Sequence, residues 1–150
     1  MAHNNDKNLN QELEFSTFKI SGVDCGINIL KIREINKHFE ITKVPHAEPY
    51  IRGILNLRGK IVTVVDLGEK LGLTAVERHK DNRNLIVDFE DEPIGLSVER
   101  IGDFVKADPK DIDPPPSNIN QVDGKYFQGV LKTGDQLIGI LDIDQVLNTE

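Results

Sequence analysis

Residues 50–71 read YIRGILNLRGKIVTVVDLGEKL, and residues 126–147 read YFQGVLKTGDQLIGILDIDQVL. At a constant offset of 76 the two align without a gap, and Tyr, Gly, Leu, Asp and the final Leu are identical at matching places. A second ungapped match links residues 15–35 (FSTFKISGVDCGINILKIREI) to 84–104 (NLIVDFEDEPIGLSVERIGDF) at an offset of 69. There Gly26 meets Gly95, Ile27 meets Leu96, Ile32 meets Ile101 and Glu34 meets Asp103. Two ordered matches make the chain a duplication, with related halves at 14–82 and 83–150 behind a polar tail at 1–13. The seven extra residues of the second half fall near DPKDIDPPPSN, where Pro114, Pro115 and Pro116 dictate a stiff, extended connection.

The repeat unit is made of β elements. FSTFKI alternates apolar and polar residues as a half-buried strand does, SGVDCG reads as a turn, and GINILKIREI reads as a second strand. GILNLRG and KIVTVVD flank a tight Arg58-Gly59-Lys60 connection, and Thr133-Gly134-Asp135 is its shifted counterpart. Asp66 and Asp142 each precede a short helical turn and are placed to cap it. EPYIRG and GKYFQG read as single helical turns. Five short strands per half are enough for a small closed barrel, which removes exposed edges. The predicted fold is therefore mainly β: two related five-stranded SH3-like barrels packed side by side, with strand exchange between halves left open. Halves this small gain by burying apolar surface against each other.

Composition narrows the function. The chain has 150 residues and a formal charge of −7, which disfavours phosphate backbones and anionic lipid. No apolar run reaches bilayer length, and the first twelve residues lack a signal-peptide core, so a cytoplasmic protein is expected. His3, His38, His46 and His79 lack metal-ligand spacing. The single Cys25 aligns with Ile94 and reads as a buried small hydrophobe. Glu90-Asp91-Glu92 before Pro93 reads as a solvated hairpin tip, and Asp108, Asp111 and Asp113 as a solvated connection. Phosphate-loop and nucleophile-elbow motifs are missing. The expectation is a protein without catalytic residues, metal or cofactor, acting as a docking module.

The duplication supplies an internal control. Features in both halves, such as Gly53 and Gly129 or Asp66 and Asp142, point to scaffold. Asn56-Leu57-Arg58-Gly59 has no equivalent, since Lys132-Thr133-Gly134-Asp135 stands there. Arg58, at the end of a strand, can order a recognition surface by pairing with a carboxylate. Glu34 is the candidate, placed by period two on the same face as Ile32.

VPHAEPYIRGILNLRGKIVTVVDLGEKLG, at 44–72, resembles the central signature of the CheW-like domain family of bacterial chemotaxis. EFSTFKI, GINILKIREI, LIVDFEDEPIGLSVERIGDFV and the ending YFQGVLKTGDQLIGILDIDQVL resemble the rest, so the similarity spans about 14–148. The resemblance implies two SH3-like barrels and an adaptor that couples chemoreceptor helical tips to the histidine kinase CheA. It implies partner binding by Ile32, Glu34, Ile35, Gly53, Asn56, Leu57, Arg58 and Gly59, with Arg58 foremost. It places receptor tips in a hydrophobic groove between barrels and the kinase on the first barrel, with recruitment to membrane-associated receptor arrays. Val44-Pro45 is expected to be structural, and Arg52 reads as an exposed basic residue. Two other readings stay open: a small-molecule binder using the inter-barrel cleft, separable by a ligand-induced melting shift, and a CheW-like adaptor of another pathway such as surface motility.

Overall fold

The computed structural model describes residues 12–148. Most of the expected tail and His3 lie outside the described residues. The first strand begins at Leu13.

The strands are β1 (Leu13–Ile20), β2 (Val23–Asn28), β3 (Ile32–Asn36), β4 (Ile51–Leu57), β5 (Lys60–Asp66), β6 (Arg83–Phe89), β7 (Glu92–Val98) and β8 (Arg100–Ala107). Three short strands follow, β9 (Ile112–Asp113), β10 (Asn118–Ile119) and β11 (Val122–Asp123), and then β12 (Phe127–Thr133) and β13 (Gln136–Leu141). Helix α1 (Leu67–Lys70) follows β5 and α2 (Ile143–Leu147) follows β13. Asp66 accepts the Glu69 N–H at 3.1 Å and Asp142 the Gln145 N–H at 3.2 Å, so both predicted caps are made.

The strands form two main sheets, in the orders β8-β1-β2-β13-β12-β9 and β3-β6-β7-β5-β4. Each sheet draws on both halves of the chain. The β1–β2 hairpin of the first half joins β8, β12 and β13 of the second, and the β6–β7 hairpin joins β3, β4 and β5 of the first. The exchange is symmetric: β2 runs parallel to β13 as β7 runs parallel to β5.

The exchange explains three cores. The largest lies between the sheets, where Phe18, Ile20, Cys25 and Ile27 of one meet Val65, Leu85, Val87 and Leu96 of the other. The other face of each sheet buries its own cluster: Phe15, Ala107, Leu131, Ile138 and Ile140 in one, and Leu55, Leu57, Val62, Val64 and Ile86 in the other. A flat sheet would expose its outer face. Val62 at 0% and Ile86 at 1% exposure show that the sheet curls over itself.

The closed five-stranded barrels expected from the sequence are realised as curled sheets with linear strand orders, one of them six-stranded. The five-stranded sheet is drawn together at an isolated bridge, where Thr42 and Ile54 exchange two backbone bonds of 2.8 Å. The six-stranded sheet is extended by the two-residue strand β9 on β12.

Local expectations shift in instructive ways. FSTFKI is not half-buried: Phe15, Ser16, Thr17 and Phe18 are all buried, because β1 lies between neighbours with a core on either side. The turn within SGVDCG is only Ser21-Gly22, both at positive φ, and β2 begins at Val23. GINILKIREI is not one strand. A single 3-10 turn at Ile29–Lys31 divides it, initiated by Asn28, whose side chain accepts the Leu30 N–H at 2.9 Å. GKY forms a 3-10 turn at Gly124–Tyr126, whereas Pro49-Tyr50 lies in a single hydrogen-bonded turn, in which the Ile51 N–H donates to the Glu48 carbonyl at 2.9 Å.

Candidate functional site

The β4–β5 hairpin closes through Arg58 (φ 51°) and Gly59 (φ 85°). Positive φ at both central residues is the two-residue turn that matches sheet twist. Asn56 fixes it by accepting the Gly59 N–H at 2.8 Å. Arg58 therefore lies in the turn, and not at a strand end as its sequence context suggested. A non-glycine residue there carries a backbone penalty of about 1–2 kcal/mol. In the second hairpin Gly134 occupies the same place with φ 57° and avoids that penalty. The first half thus keeps an arginine where its own repeat uses glycine.

Across the mouth of the curled sheet, the Arg58 guanidinium donates to the Glu34 carboxylate. Arg58 is largely exposed, at 71%, and Glu34 is 27% exposed. Asn36 donates its amide to the other carboxylate oxygen at 3.0 Å, and Asn84 in turn donates to Asn36 at 3.3 Å. The Asn36 bond, followed by that of Arg58, holds the Glu34 carboxyl below its ordinary range. Sequence reasoning missed Asn36. The signal was its spacing, two residues after Glu34 on the same strand.

The predicted pair is present, but the register argument behind it fails. A bulge lies between Ile32 and Glu34, so that Ile32 faces Val87 while Glu34 faces Ile86. The extra residue flips the face. Ile32 and Ile35 consequently pack against the core between the sheets, whereas Glu34 turns to the opposite side beside Arg58.

Beneath the pair is a hollow of about 370 Å³ lined by Glu34, Leu57, Arg58, Lys60, Ile86 and Pro93. Leu57 belongs to the buried cluster of this sheet and forms its floor. The structure thus gathers Glu34, Asn56, Leu57, Arg58 and Gly59 at one end of the sheet. It places Ile32 and Ile35 on the far face, and Gly53 near the other end of β4. Gly53 has φ 145°, and a Cβ on it would stand 2.2 Å from the Thr42 carbonyl oxygen. Its repeat partner Gly129 is likewise crowded by Ile112 and Asp113 of β9, at 2.5 and 2.9 Å. Both glycines sit at a bulge and admit the segment that draws their sheet together.

Arg52 also has a definite place. Its Nη2 lies 3.1 Å from Asp66 Oδ2 and also donates to the Val76 carbonyl. Asp66, 4% exposed, accepts the Glu69 and Val76 N–H groups as well. Gln128 aligns with Arg52, so this ion pair belongs to the first half alone. Cys25 is fully buried, and burial first, then the neighbouring Asp24, pushes its thiol up to about 12.

Between the sheets runs a smaller groove of about 230 Å³, with Ile27, Val87, Leu141 and Ile143 along it and Asp142 and Asp144 beside them. Among the described residues no group of three or more His, Cys, Asp or Glu could hold a metal ion. No helix among them is long and apolar enough to cross a membrane.

Residues 14–150 match the family model described as the CheW-like domain. A relative from Helicobacter pylori, "Chemotaxis protein CheW", is 33% identical over 138 residues, covering 92% of this chain and 83% of that protein. "Chemotaxis protein CheW" of Bacillus subtilis is 29% identical, covering 89% and 85%. The solved structure of scaffolding protein TtCheW from Thermoanaerobacter tengcongensis superposes with a TM-score of 0.86 at 30% identity, covering 93% of this chain and 90% of that one. With a family model matching nearly the whole chain and a fold shared with a solved relative, this chain belongs to the CheW-like domain family.

Proposed function

We propose that the protein is a cytoplasmic, non-catalytic chemotaxis adaptor that couples chemoreceptor cytoplasmic tips to the histidine kinase CheA. The observation that carries this reading is Arg58. It occupies a left-handed turn position at a backbone cost, beside a carboxylate that Asn36 orients. A charge kept at such a position supports a role in recognition. Glu34, Asn56, Leu57, Arg58 and Gly59 form the proposed partner-reading end. Ile32, Ile35 and Gly53 act through it by shaping β3 and β4.

Two exposed aliphatics support docking of a related double-sheet domain. Ile61, 59% exposed, and Leu137, 40% exposed, occupy equivalent places at the start of β5 and β13. Apolar anchors of this kind supply binding energy, with polar residues at the rim. The kinase is assigned to the Ile61 hairpin and the receptor tips to the groove between the sheets. That groove, at about 230 Å³, is below the roughly 300–1,000 Å³ usual for small-ligand sites, which disfavours a metabolite there.

Co-sedimentation with receptor cytoplasmic fragments and CheA tests the reading. A ternary complex that forms only when this protein is present is the expected result. Assembly and kinase stimulation that are the same without it would refute it.

A further inference from the structure

A wide cleft lies about 20 Å along β4 from the Arg58 turn. It measures about 950 Å³ and is formed by the β3–β4 connection, the start of β4 and the segment before β6. Its charge is opposite to that of the chain. Five of the protein's 18 Lys and Arg residues line it, and Glu48 is its one acid, in a protein of net charge −7.

Four of these cations, Lys37, Lys43, Arg78 and Lys80, make no ion pair among the described residues. The fifth, Arg52, is fixed by Asp66 and the Val76 carbonyl, and its Nη1 makes no hydrogen bond among the described residues. A pre-positioned guanidinium flanked by unpaired cations is suited to a polyanion. Apolar side chains of Phe39, Ile41 and Ile51 supply a wall for a ring or other apolar body. The volume is at the upper end of the range for small-ligand sites, about 300–1,000 Å³. A phosphate brings nearly two charges and three acceptor oxygens, so a phosphate chain meets four cations in less space than separate carboxylates would.

We propose that this cleft binds a small amphipathic polyanion of the nucleoside polyphosphate class, its phosphates among the four unpaired cations and its base against the apolar wall. The site is independent of the coupling reading, because it is separate from the Arg58 end and its test uses the purified protein alone.

The experiment titrates the full chain with ATP free of divalent cation, followed by calorimetry and backbone amide shifts. Saturable one-to-one binding is expected, with shifts concentrated in residues 37–52 and 78–82. The double substitution K43E/R78E should weaken it by about tenfold or more, since it reverses two of the attracting charges. K132E, on the exposed surface of β12, should leave it unchanged. Inorganic pyrophosphate, which lacks the apolar body, should bind more weakly than ATP. K43Q/R78Q carries the same test with a milder change, should the reversal fail to fold. No saturable binding, binding that survives both double substitutions, or equal affinity for pyrophosphate would overturn the proposal.

Discussion

The two aspartates that cap α1 and α2 offer a stability comparison inside one molecule. Asp142 does one thing: it accepts the Gln145 N–H at 3.2 Å. Its replacement by alanine should cost about 1 kcal/mol, the ordinary value of a cap. Asp66 caps in the same way but also accepts the Val76 N–H, at 3.0 Å, and pairs with Arg52. Asp66→Ala strands the Val76 N–H, worth about 1–3 kcal/mol, and leaves the Arg52 guanidinium without its partner. Breaking a buried pair costs about 3–5 kcal/mol. Arg52 is 25% exposed and recovers some hydration, so the lower part of that range applies. Because these terms share one carboxylate they overlap and do not add in full; we predict a loss of about 3–4 kcal/mol for Asp66→Ala, or roughly 10 °C in melting temperature. Urea unfolding of both variants, at unchanged m-value, is the assay. Losses within about 0.5 kcal/mol of each other at the two sites would refute the reasoning.

Gly53→Ala should destabilise by several kcal/mol, because its Cβ would meet the Thr42 carbonyl at 2.2 Å from a positive-φ backbone; a melting scan checks it, and a change within a degree or two would count against the crowding. Cys25, buried and with its thiol pushed up to about 12, should resist a thiol reagent in the native protein and label only as fast as the chain opens; rapid stoichiometric labelling at pH 8 contradicts this. The stability difference between the wild type and Arg58→Ala should be about 0–1 kcal/mol at neutral pH. Because the Glu34 pKa is lowered on folding, that difference is complete above the ordinary 4.5 and lost as pH falls through the lowered value; denaturation at pH 7 and in acid measures it, and a difference that grows in acid reverses the sign.

The duplication made the mainly β fold and the Arg58–Glu34 pair legible before any coordinates. Aligned residues with no gap imply aligned elements, and β4 and β12 do cover equivalent residues, 51–57 and 127–133. The symmetric hairpin exchange was not legible, because a hairpin carries the same alternation whichever sheet receives it. The bulge at β3 was likewise hidden: an inserted face-flip leaves the composition of IREIN unchanged. Glu34 was therefore chosen correctly as the partner of Arg58 by a register argument that the bulge breaks. The Arg52–Asp66 pair escaped notice because Asp66 had already been assigned as a shared cap. A residue in both halves can still do something further in one of them. The basic cleft was invisible because its cations are scattered from Lys37 to Lys80 and only the fold collects them.

Arg58 is the residue on which the functional account turns. The decisive measurement is receptor-stimulated CheA autophosphorylation in the reconstituted ternary assembly, with wild-type protein or with Arg58→Ala verified as folded. The pair contributes only about 0–1 kcal/mol to stability, and the turn keeps the Asn56–Gly59 bond. The variant should therefore remain folded, while receptor-dependent stimulation is lost. Stimulation equal to that of the wild type would contradict the account.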